Sequence, residues 1–122
     1  MDYVRIHVDG QGRSHFEDVH AETTEQNIVD GVPPVVLTGP FPATAVVFVE
    51  LTPGGPEWEP HVAPRRQWVI CLRGRVAITV SDGDRREFGA GEPILVEDVT
   101  GEGHTSTPLT DDFAFAMIPV GD

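Results

Sequence analysis

Residues 55–74 read GPEWEPHVAPRRQWVICLRG, and the fold is decided by how this stretch is read. A Gly/Pro-rich turn opens it and Gly74 closes it. Between them Trp58, His61 and Gln67 lead into the apolar run RQWVICL, residues 66–72. Side chains alternate between the two faces of an extended strand, so Gln67, Val69 and Cys71 share one face and Trp68, Ile70 and Leu72 the other. Both faces are apolar, so the outward one must meet something, and a second subunit would cover it. A second histidine, His104, stands well downstream in TGEGHTS, residues 100–106. Histidines on two separate β segments converge only if the sheet curls back on itself. The reading is a small β-barrel whose mouth is set by His61, Gln67 and His104.

Outward from this stretch the chain reads as short strands parted by turns. Residues 2–8 alternate around Tyr3, Val4, Ile6 and Val8, meet Asp9-Gly10-Gln11-Gly12, and resume over 13–20, which is a hairpin signal. Residues 23–30 are polar, with room for one short helical turn. Residues 31–42 are punctuated by proline and glycine and read as an extended connector, since proline removes ladder donors. ATAVVFVEL, residues 43–51, is a near-continuous apolar run, which implies a strand buried on both faces. Strands follow at 76–80, 85–88, 93–97 and 113–118, with Ser81-Asp82-Gly83-Asp84 as a strong hairpin turn. Eight or more short strands with almost no helix predict an all-β domain, a sandwich or a barrel. No repeat, low-complexity segment or domain boundary interrupts the chain, so residues 1–122 are read as one domain.

Composition narrows the function. The formal charge is −12 and all eight basic residues are arginine, which disfavours nucleic acid and anionic membranes as partners. The acids cluster in segments that read as solvated loops and edges. Arg65, Arg66, Arg73 and Arg75 stand close to the expected barrel wall and would give a local positive field. Cys71 is the one cysteine, so no internal disulfide forms, which fits a reducing, cytoplasmic compartment. The first residues carry no long apolar core of a signal peptide, and no window is long enough to span a membrane.

At this point the spacing matches a family. Gly55-x5-His61-x-Ala63-x3-Gln67-x6-Gly74 resembles the first motif of the cupin superfamily, G-x5-H-x-H-x3-4-E-x6-G. Gly91-Glu92-Pro93 followed by Gly101-x2-His104 resembles the second. The likeness covers residues 43–119, with 1–42 as N-terminal strands and connector, and is strongest to small single-domain bacterial cupins. It implies a jelly-roll barrel, the cupin double-stranded β-helix. Metal-binding cupins use two histidines and a glutamate of the first motif and the histidine of the second. Here Ala63 replaces one histidine and Gln67 the glutamate, so the resemblance leaves His61, Gln67 and His104 as ligands for a divalent transition metal (zinc, iron, nickel or manganese). No organic cofactor is expected. The family's habit of sharing N-terminal strands between subunits implies a homodimer.

Two readings of the site stay open. With metal, the two imidazoles are ligands and Gln67 offers a neutral oxygen. Without it, His61 and His104 suit acid/base chemistry, and Glu97 or Asp98 would orient an imidazole. Trp58 and Arg65 are candidates for holding a substrate, by stacking and by pairing with an anionic group respectively. Each has a plainer role open to it, Trp58 in the rim or core and Arg65 in a surface ion pair. Cys71 reads as a buried, inert thiol. The leading function is a small-molecule enzyme of lyase, isomerase or cyclase type, using His61 and His104 with Glu97. A metal-dependent dioxygenase and a non-catalytic small-molecule binding protein are the alternatives. The fold alone does not choose among them.

Overall fold

Alternation of side chains with period two runs through most of the chain, and the backbone answers with strands. The computed structural model describes residues 1–51 and 58–121. Among them there are eleven strands and no helix: β1 (Asp2–Val8), β2 (Ser14–His20), β3 (Thr23–Gln26), β4 (Val35–Thr38), β5 (Val47–Glu50), β6 (Gln67–Arg73), β7 (Arg75–Val80), β8 (Arg85–Gly89), β9 (Pro93–Val96), β10 (His104–Pro108) and β11 (Ala114–Pro119). The all-β expectation holds. No helix among the described residues is long and apolar enough to cross a membrane. The turn read at residues 52–57, with Gly55 at the head of the first motif, lies outside the described residues.

The ladders form open sheets. One has six strands in the order β2-β1-β9-β6-β11-β5, one has three in the order β10-β7-β8, and β3 pairs with β4 alone. Ile6, Cys71, Ile94, Val96 and Phe115 from the large sheet meet Val76, Ile78, Val80 and Phe88 from the small one in a single apolar cluster. The core therefore lies between these two sheets. Each such side chain, taken from water, contributes about 1.5–3 kcal/mol.

The expected parity of β6 is present: Gln67 and Cys71 are buried, and Leu72 on the other face is 48% exposed. Trp68 on that outer face is covered from within the chain. Tyr3 packs edge-on against it with ring centroids 4.8 Å apart, and Phe41 does so at 5.2 Å. The closing turn of β6 needs glycine: Gly74 has φ +82°, and a Cβ there would lie 2.2 Å from the Asp112 carbonyl oxygen.

Three expectations are corrected. Residues 23–30 make no helical turn; β3 forms there because β4, inside the segment read as a plain connector, offers it a partner. Residues 43–51 are not a strand buried on both faces. Only Val47–Glu50 is strand, and it sits at the edge of the large sheet beside β11. Val49 packs inward, whereas Phe48 is 74% exposed, because an edge strand has one covered face. An apolar run records how much a segment could bury, and its place in the sheet sets how much it does.

Candidate functional site

Backbone bonds between distant segments bring the site together. His61 and His104 form an antiparallel bridge, His61 N–H donating to the His104 carbonyl at 3.0 Å and His104 N–H to that of His61 at 2.9 Å. Ala63 N–H donates to the Asp98 carbonyl at 3.0 Å. His104 opens β10 in the small sheet, and Gln67 opens β6 in the large one. The bridge is possible because residue 103 is glycine. Gly103 has φ +75°, and a Cβ on it would stand 2.1 Å from the His61 carbonyl oxygen. Ser14, wholly buried, donates from its hydroxyl to the Gly103 carbonyl at 2.6 Å and so holds this turn in place.

Between the sheets lies a cavity of about 280 Å³. Among the described residues its polar lining is His61, Gln67, His104 and Ser106, and the rest is apolar, including Leu51, Val69, Ile78, Phe113, Phe115 and Met117. Trp58 stands at its edge, 42% exposed, with its ring 5.5 Å from that of His61. The His61 and His104 rings are 5.0 Å apart.

Both imidazoles have one nitrogen engaged. His104 Nδ1–H donates to Asp98 Oδ2 at 2.6 Å. His61 Nδ1 faces the Glu59 carbonyl oxygen at 2.8 Å, and a carbonyl only accepts, so Nδ1 carries the proton. In each neutral ring Nε2 then holds the lone pair. Asp98 is wholly buried, and its Oδ1 has no hydrogen-bond donor among the described residues. A carboxylate in such a place needs the imidazole beside it, since an unpaired buried charge is expensive.

His61, His104, Gln67 and Trp58 thus line the cavity as read from sequence. Glu97 and Arg65 do not. Glu97 turns to the outside of the sheet, where Arg5 and Arg66 hold its carboxylate, Arg66 Nε at 2.6 Å. Burial works to raise that carboxyl, and the bonds and charges of the two arginines outweigh it, leaving Glu97 below its ordinary range. Arg65 is exposed and away from the lining. The partner of His104 is Asp98, and period two contains the signal: Ile94 and Val96 point into the core, so Asp98 shares their side and Glu97 does not. Gly103 and Ser106 went unread because their roles depend on contacts between distant segments. Cys71 is buried in the core, where burial pushes its thiol up, and it does not line the cavity.

As metal donors the lining offers two imidazole nitrogens and one neutral amide oxygen. Among the described residues no three of His, Cys, Asp and Glu converge to hold an ion. The set is one ligand and one negative charge short of the sites that hold divalent transition metals tightly. As an acid/base site the same groups are complete: a lone pair facing an apolar cavity, and a carboxylate behind it. Set against models of protein families and against curated proteins, the chain matches none.

Proposed function

We propose that the protein is a small-molecule enzyme of lyase, isomerase or cyclase type in which His104 is the general base. The observation that carries this reading is the 2.6 Å bond from His104 Nδ1 to the buried Asp98 carboxylate, on a histidine that lines a cavity. His104 Nε2 takes a proton from carbon or oxygen of the substrate. Asp98 holds the ring in the tautomer that leaves Nε2 free and stabilises the imidazolium that forms. His61, with its ring 5.0 Å away, is placed to return a proton elsewhere on the same molecule. The apolar wall lowers the local dielectric and so strengthens these charges. Elimination, isomerisation and ring closure all need this proton relay and no external oxidant.

We further read the chain as a cytoplasmic cupin with a jelly-roll core, and as a homodimer. The bridge that joins the histidines of the two motifs, and a core between two sheets, support the first. The exposed Val46, Val47 and Phe48 along an edge strand support the second.

The base can be tested without knowing the substrate. A nitrobenzisoxazole loses its one acidic C–H to a base, its N–O bond breaks, and a coloured cyanophenolate leaves. Wild-type protein should open it faster than free imidazole does at equal concentration. His104→Ala should lower the rate by about 10²-fold or more, and Asp98→Asn, which favours the wrong tautomer, by a similar factor. Circular dichroism establishes that the variants are folded. Equal rates for wild type and a folded His104→Ala would return the cavity to a binding role without catalysis.

A further inference from the structure

The charge map of the molecule and the lining of the cavity differ sharply. The chain has eight arginines and no lysine, and none of the eight lines the cavity. Arg5 and Arg66 hold Glu97, Arg73 faces Asp112 and Glu50, Arg75 and Arg85 reach Glu87, and Arg86 pairs with Asp18. Arg13 and Arg65 are exposed. Among the described residues no carboxylate lines the cavity, and Asp98 is turned to Nδ1 of His104 and sheltered behind the ring. An anion entering here would leave water, gain no cation and approach a buried negative group. A cation would also leave water, and the carboxylate that could meet it is already engaged. A neutral molecule meets neither cost. It would lay its carbon skeleton on Val69, Ile78, Phe113, Phe115 and Met117, with one polar atom toward the histidines.

We infer that the ligand of this cavity is a neutral, largely apolar compound with one polar end, such as an enolisable ketone, and that carboxylates and phosphates are excluded. At the packing density of a protein interior the space holds a skeleton of about a dozen non-hydrogen atoms. The inference rests on the cavity being a substrate site, and it names the class of substrate.

Three compounds on one bicyclic carbon skeleton separate the possibilities: β-tetralone, β-tetralin carboxylate and β-aminotetralin. The chain has two methionines, Met1 and Met117, and only Met117 lines the cavity. Methyl-labelled methionine therefore reports occupancy by NMR in the unaltered protein. Tetralone should shift the Met117 methyl signal on titration and leave that of Met1 in place. The carboxylate and the amine should need at least about tenfold higher concentration for the same shift. A carboxylate or an amine that moves Met117 as readily as tetralone would overturn the inference, as would tetralone that leaves Met117 unmoved. This readout involves no turnover. Tetralone that binds while nitrobenzisoxazole is left intact would remove the proposed catalysis and leave the ligand class standing.

Discussion

At the scale of single residues, histidines do unlike work according to what faces their nitrogens. His104 and His61 each keep one nitrogen for the cavity. His15 keeps none. Its Nε2 meets Asp9 at 2.6 Å and its Nδ1 meets Asp82 at 2.7 Å, so both nitrogens donate and the ring is an imidazolium clamped between two hairpins. Hydrogen bonds to Asp9 and then Asp82 raise it above its ordinary 6.5. Asp9 is lowered to about 2, first by the bond from His15 and then by the backbone N–H groups of Gln11 and Arg13. Asp82 is lowered as well, chiefly by the Asp84 N–H. A raised histidine stabilises fully below 6.5, and that is lost as pH climbs through the folded value. Depressed acids stabilise fully above 3.8, and that is lost as pH falls through theirs. The thermal midpoint of His15→Ala should therefore trail wild type most between pH 3.8 and 6.5, with the gap closing on either side. A gap constant across a pH series would contradict the clamp.

Metal affinity also belongs to single residues. Ala63 and Gln67 line the cavity beside both histidines. Changing them together, Ala63→His with Gln67→Glu, adds an imidazole and a negative charge. The double variant should bind zinc at least about tenfold more tightly than wild type by calorimetry. Equal affinity in a folded double variant would mean that the histidines do not converge on a common point.

At the scale of elements, the decisive join is the turn into β10. Gly103 presses its α-carbon against the His61 backbone, and Ser14 from the first hairpin grips its carbonyl. Gly103→Ala would place a methyl group inside the bridge and force a left-handed conformation on alanine. It should cost about 2–4 kcal/mol in urea unfolding and remove proton-transfer activity, because His61 and His104 part together. A stable and active Gly103→Ala would show that the bridge gives way cheaply. Reading elements from sequence worked best where turn chemistry and period two agreed. The hairpin of β1 and β2 and that of β7 and β8 sit within a residue or so of their expected bounds. It missed β3 and β4 and overstated the length and burial of β5, where pairing partners and edge position, not local composition, set the outcome.

At the scale of the whole molecule, the outer face of the large sheet is half covered. Tyr3 and Phe41 close over Trp68. Beyond them β5 leaves Phe48 at 74% exposure, and Val46, just before it, is at 55%. The net charge of −12 opposes unspecific association, while the apolar edge invites a second copy. Light scattering at micromolar concentration should show a homodimer, and Phe48→Asp should shift it to monomer with the thermal midpoint of the isolated subunit unchanged. A wild-type monomer at that concentration would dismiss the shared edge.

Sequence by itself determined the strand-rich class, the parity of β6 and the burial of Cys71, while the resemblance of two motifs named the histidines that meet. The class, the parity and the burial are local: they follow from alternation, turn residues and an apolar run around a lone thiol. Tertiary structure alone decided which carboxylate stands behind His104, which arginines are already spoken for, and which apolar run stays in water. Those outcomes turn on contacts between segments tens of residues apart. Glu97 and Asp98 are neighbours of the same chemistry, and one step along the chain sends the first to Arg5 and Arg66 outside and the second to His104 within.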